Sequence, residues 1–121
     1  KISGKSERSA IFLVIFMVLF TIQITNATTY NVGDDGGWDM GVSNWPNGKN
    51  FKAGDVLVFN YPKNVHSVVI VNKENYDSCT PSGKTLTSGN DRVTLGKGTS
   101  YFICGKPTHC QFDQKIAVTA N

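Results

Sequence analysis

Two residue types in this 121-residue chain could hold a redox metal, and each is scarce. The chain has two histidines, His66 and His109, and three cysteines, Cys79, Cys104 and Cys110. Two imidazoles with one thiolate are the donor set of a trigonal copper site completed by a weak axial ligand. His109 follows Cys104 after four intervening residues, close enough for one loop to turn both donors toward a single ion. His66 lies 38 residues before Cys104 and must arrive from a neighbouring strand. Other chemistry is open to the same residues. Cys104 and Cys110 could close a local disulfide, and zinc accepts the same ligands, although a soft thiolate with a weak axial position suits copper better. A Cys104/His109 thiol hydrolase lacks an oxyanion-forming elbow and a third orienting group.

The redox compartment decides how an odd cysteine is read. Lys1, Lys5 and Arg8 form a basic leader ahead of "AIFLVIFMVLFTI", Ala10 to Ile22, an apolar run of 13 residues. A membrane span needs ~20 residues, so this run is too short to cross. Its flanks match a secretory signal, with Thr25 and Ala27 as the small residues before a cut at Ala27/Thr28. The signal is therefore expected at 1–27, with a single domain at 28–121. The first residue is Lys rather than Met, which implies a precursor that starts further upstream. The sequon Asn26-Ala27-Thr28 straddles the cut and would be lost with it. Asn121 is preceded by no Pro/Ser-rich stalk or hydrophobic tail, so no glycolipid anchor is expected. In an oxidising compartment cysteines pair, and an odd count leaves one that is free, intermolecular or a metal ligand.

Charge narrows the partners. The whole chain carries a formal +3, but residues 28–121 hold nine Lys+Arg against eight Asp+Glu, a net of about +1. No basic stripe remains, and nucleic acid is not an expected partner. "SGKT", Ser82 to Thr85, echoes the end of a phosphate-binding loop, but Ser78 stands where the upstream glycine is required.

The elements that must position the donors read as strands. "TTYNVG" alternates Tyr30 and Val32 before a glycine-rich turn. "DVLVFNY" (Asp55 to Tyr61) and "SVVIVN" (Ser67 to Asn72) are β-branched and aromatic runs of strand length, separated by "PKNVH". "KENYDSC" has the composition of one helical turn. "RVTL" and "TSYFIC" flank "GKG" as an expected hairpin, and "KIAVTA" closes the chain. Six to eight short strands without a long amphipathic helix predict an all-β sandwich or small barrel. Trp38, Trp45, Phe51, Phe59 and Phe102 are expected in its core. About 94 residues bury only ~60–65% of their unfolded surface, so a cross-link or metal would add needed stability.

Four segments taken together carry a resemblance: "YNVGDDGGW", "FKAGDVLVFNY", "NVHSVVIVNKENYDSC" and "YFICGKPTHCQFDQKIAV". In order and spacing they resemble the plant phytocyanins, the blue-copper (cupredoxin) family that includes plantacyanins (basic blue proteins) and stellacyanins, over nearly all of 28–121. The resemblance implies a Greek-key β-sandwich with one type 1 copper ion near one end. It implies His66, Cys104 and His109 as equatorial ligands and a Cys79–Cys110 disulfide. The family pattern His-Cys-x-x-Gly-Met-Lys-Ile reads here "HCQFDQKI", with Asp113 for the Gly and Gln114 for the axial Met. A Gln there resembles stellacyanins, whose axial donor is an amide oxygen. Asp113 would be strained if its backbone takes a positive φ, though less than most residues. The implied function is that of a secreted, monomeric, non-enzymatic one-electron carrier of the extracellular space. Its redox partner is unspecified, no membrane contact remains after signal cleavage, and the imidazole edges of His66 and His109 are the exit for electrons. The alternative is an extracellular signalling or binding module of the cell wall, of the kind implicated in pollen-tube guidance, in which redox activity is secondary.

Overall fold

The computed structural model describes residues 26–121; the expected signal run lies outside the described residues, apart from Asn26 and Ala27. Seven strands form two sheets: β1 (Thr29–Asn31), β2 (Val56–Asn60), β3 (Val68–Val71), β4 (Lys84–Leu86), β5 (Asn90–Thr94), β6 (Gly98–Ile103) and β7 (Lys115–Ala120). One sheet runs β1-β2-β5 and the other β4-β3-β6-β7. Only β1 and β2 pair in parallel; the other ladders are antiparallel. The all-β sandwich expected from the strand pattern is the fold found. Among the described residues no helix is long and apolar enough to cross a membrane.

The side-chain pattern of each strand states what it packs against. In β2, Leu57 and Phe59 are fully buried and meet Phe102, Ile116 and Val118 of the facing sheet. Trp38 stands edge-on to Phe59 at 5.0 Å between ring centroids, and Phe59 packs on Phe102 at 5.1 Å. β3 does not alternate, because both its faces are covered. Val68 enters the inter-sheet core, whereas Val69 and Val71 join Ile103 and Cys110 in a second cluster beneath the short helix α1 (Lys73–Ser78). That helix starts at Asn72, whose side chain accepts the Asn75 N–H at 2.9 Å, and stops where Cys79 turns left-handed at φ 54. A six-residue helix has little stability of its own; burial of Tyr76 and Cys79 against the sheet holds it.

The hairpin expected across Gly96–Gly98 does not form. β5 pairs with β2 in one sheet and β6 with β3 and β7 in the other, so this short connection crosses the sandwich. Leu95 explains the crossing: it is 3% exposed and its backbone bonds Asp55 and Gly54, which commits β5 to the edge of β2. "SGKT" holds no phosphate-loop geometry, since Lys84 and Thr85 lie in strand β4.

Candidate metal centre

Two connections converge at one end of the sandwich. His66 sits in the β2–β3 connection, Cys104 directly follows β6, and His109 lies in the loop that leads to a 3-10 turn at Cys110–Phe112. Gln114 ends that loop just before β7. The neck of the loop is closed by Cys104 N–H donating to the Gln114 carbonyl at 2.9 Å. Inside it, Gln114 and Phe112 both donate to the His109 carbonyl, at 3.1 and 3.0 Å. Gly105 must be a glycine for this path, because a Cβ there would come within 2.9 Å of Ser67 Oγ and Val69 Cγ2. Its N–H instead donates to Ser67 Oγ at 3.0 Å, tying the cysteine loop to the histidine connection.

Cys79 and Cys110 are joined, with Cys104 left free and 2% exposed. The local Cys104–Cys110 alternative is thereby excluded. The bridge fastens the residue beside His109 to the end of α1, and so anchors the loop from its far side.

The donors meet as the spacing suggested. Ligand atoms of His66, Cys104 and His109 all lie within 4.8 Å of one another. His66 Nδ1 is 3.0 Å from His109 Nδ1, which is 3.6 Å from Cys104 Sγ. With metal–nitrogen bonds of ~2.0–2.1 Å and a metal–sulfur bond of ~2.3 Å, neither separation is too long for the pair to share one ion. Burial pushes the His66 imidazolium below its ordinary range and His109 adds to the fall, with Asp39 opposing both. A neutral His66 has a lone pair to offer.

Gln114 supplies an independent test of fit. It is fully buried, and its Oε1 has no hydrogen-bond partner. Its Nε2 donates to the Trp38 carbonyl at 3.3 Å, which fixes which end of the amide is which. A buried acceptor left unpaired costs about 1–3 kcal/mol, and a cation beside it would meet that need. Soft thiolate, two imidazoles and an orphaned amide oxygen at one sheltered end fit copper.

One expectation changes. His66 is 6% exposed, so its imidazole edge is not a surface; His109 alone keeps partial exposure. Asp39 covers His66, its Oδ1 lying 3.3 Å from Nε2. Asp113 does take a positive φ, 62°, in the left-handed region that Asp tolerates. The sharper strain lies at Thr108, β-branched at φ 69° and next to His109, which no local pattern announced. Also missed was Trp38, whose N–H donates to Asn60 O at 2.8 Å and whose Nε1–H donates to Ser67 O at 2.9 Å. Neither Trp38 nor Asp39 is near its site partners in sequence, so only the indole's expected burial hinted at a role.

Comparison with known proteins agrees with this geometry. Residues 38–114 match the family model of the plastocyanin-like domain. The chain is 50% identical to a chemocyanin of Lilium longiflorum over 98% of its own length and 96% of that protein's. Among solved structures it is similar to cucumber basic protein, a blue copper protein, with a TM-score of 0.75 and 51% identity, covering 78% of this chain and all of that one. Cucumber stellacyanin superimposes with a TM-score of 0.69 at 34% identity, covering 80% of this chain and 99% of that one. The two-sheet fold, the convergent nitrogen and sulfur donors and these similarities have one common reading: the chain belongs to the phytocyanin family of blue copper proteins, and its cofactor is copper.

Proposed function

We propose that this protein is a secreted type 1 copper protein that carries one electron at a time in the extracellular space. His66, Cys104 and His109 would hold the copper, with Gln114 Oε1 as a further, weaker donor. The observation that carries the reading is the convergence of three scarce donors, together with a buried, unpartnered Gln114 oxygen at the end of the loop that carries two of them. Copper held there supplies a one-electron Cu(II)/Cu(I) couple.

The protein's part is to keep that environment constant. The Cys79–Cys110 bridge, the Cys104–Gln114 backbone bond and the Trp38 anchor restrain the donors from three sides. Little then has to move when the charge changes, which favours rapid exchange. His109 is the ligand with partial exposure, and an exposed apolar residue stands close in sequence to each histidine: Val65 beside His66, and Phe112 three residues after His109, 50% and 65% exposed. Electrons are therefore expected to pass through the His109 ring. No acid–base pair beside the site is required for such a step.

Secretion rests on the leader 1–27 and on a disulfide that persists in an oxidising compartment. The test is a visible and electron-spin spectrum of the protein after Cu(II) is added. An intense blue thiolate-to-copper band is expected, and Cys104→Ser should remove it. A colourless wild-type protein with Cu(II) bound would refute the ligand assignment.

A further inference from the structure

His66 presents its two ring nitrogens to different neighbours. Nδ1 faces His109 Nδ1 at 3.0 Å, and Nε2 faces Asp39 Oδ1 at 3.3 Å. Asp39 is 59% exposed, yet its carboxylate is not free to wander. The same Oδ1 accepts the backbone N–H of Met40 at 2.7 Å. The preceding residue, Trp38, is 1% exposed and held through its N–H, its indole N–H and its carbonyl. The acceptor facing His66 is thus fixed by the segment that also orients Gln114.

We propose that Asp39 is a positioning residue for the copper site, a role that rests on the ligand assignment above. A neutral imidazole carries one N–H, and a carboxylate at Nε2 places it there. Nδ1 is then left as a lone pair directed at His109 and Cys104. The hydrogen bond also stops the ring from turning and makes Nδ1 a stronger donor. The competing view is an exposed contact with no measurable effect, the common fate of surface ion pairs.

The two views separate in Asp39→Ala and Asp39→Asn. Chelator competition should show Cu(II) binding weakened about 10–100-fold in Asp39→Ala, as for other partners of ligating histidines, with the melting temperature of the metal-free protein unchanged. Asp39→Asn keeps an oxygen acceptor and should recover part of the affinity. Wild-type affinity in Asp39→Ala would overturn the proposal. In a His66→Ala background, Asp39→Ala should have no further effect; an equal loss there would mean that Asp39 acts elsewhere. If His66→Ala itself keeps the blue colour and the affinity, the ligand assignment fails first and takes the proposal with it.

A second feature, independent of the metal, lies at the start of β1. The backbone nitrogen of Thr28 is 2.9 Å from Asp55 Oδ1, and Asp55 is 2% exposed. Oδ2 accepts the Lys52 backbone N–H at 2.9 Å. Among the described residues no lysine or arginine forms an ion pair with this buried carboxylate, a costly arrangement for a charge. Thr28 is also tied through its carbonyl, which accepts Val56 N–H at 2.9 Å.

From this we infer that removal of the leader completes the Asp55 site, on the reading that the cut falls at Ala27/Thr28. Hydrolysis of that bond consumes one water, leaves a carboxylate on Ala27 and gives Thr28 an amine that takes up a proton. The new ammonium stands where the amide N–H stood, against a carboxylate that lacked a counter-charge. Processing would thereby lock β1, a three-residue strand, onto β2.

Mass analysis of the secreted protein should place its N-terminus at Thr28, and a start elsewhere would overturn the inference. Urea unfolding of copper-loaded protein starting at Thr28 or at Ala27 compares ammonium groups one residue apart at equal net charge. The Ala27 form should lose about five- to tenfold in its folding constant, the difference between charged and neutral hydrogen bonds. Asp55→Asn should abolish that difference. Equal midpoints for the two starts with Asp55 intact would refute the lock, whether or not Asp55→Asn folds.

Discussion

Gln114→Met makes different demands on the metal-free and copper-loaded protein. Gln114 is wholly buried; its amide nitrogen donates to Trp38 O at 3.3 Å and its oxygen has no partner. Without metal, Met removes the orphaned acceptor, a gain of about 1–3 kcal/mol, but leaves the buried Trp38 carbonyl without its Gln114 donor at a similar cost. The volumes are similar, so repacking should cost little. The metal-free variant is therefore expected to stay within about 1 kcal/mol of wild-type stability. With copper the oxidised state loses a donor. An amide oxygen is a harder donor than a thioether and favours Cu(II), so Met should raise the reduction potential. A tenfold loss in relative Cu(II) affinity is ~59 mV in a one-electron couple, and an oxygen contributing one to two such factors implies a rise of about 60–120 mV. The blue colour should remain, because the two imidazoles and the thiolate are untouched. Voltammetry and urea unfolding of the metal-free protein check the two halves separately. An unchanged potential, together with a metal-free variant destabilised by ~2 kcal/mol or more, would show Gln114 to be a core residue and refute its role as a ligand.

Thr108→Gly should relieve a β-branched residue held at φ 69°; the left-handed penalty of about 1–2 kcal/mol exceeds the entropic cost of glycine, and thermal unfolding should show a gain near 1 kcal/mol. Replacing Cys79 and Cys110 together by Ser opens a link of 31 residues in sequence separation, which costs about 3–4 kcal/mol in the chain-entropy model; a loss well below that in denaturant unfolding would mean the unfolded chain is already constrained. Tyr61 donates its hydroxyl to Asp91, and burial first, then that bond, push its phenol up to about 12. Because the folded value is raised, stability from this group is present below the ordinary tyrosine range and is lost as pH rises through about 12. Ultraviolet titration should find a late-ionising tyrosine that disappears in Tyr61→Phe, and its persistence in that variant would reassign it.

Much of this protein is written in local terms. β-branched runs at 56–60 and 68–71 and the scarcity of histidine and cysteine are properties of residue type and short-range spacing. They announce strands and a nitrogen–sulfur donor set before any contact is known. The order of Cys104, His109 and Gln114 along one loop is equally local, since a single turn-rich segment can bring all three to one end. Which sheet each strand enters is not local. β5 and β6 look like a hairpin around Gly96–Gly98, yet their hydrogen bonds go to β2 and to β3 and β7, because each strand must also bury a face across the sandwich. The support of the site belongs to the same level. Trp38 reaches Gln114 across 76 residues, and Asp39 reaches His66 across 27, through the stacking of two sheets that no window of sequence contains. Tertiary structure alone therefore decided that His66 is covered while His109 stays partly open, and that one amide oxygen is left facing inward without a partner. Residue chemistry names the donors; only the packed sheets settle which atoms are sheltered, oriented and left unpaired.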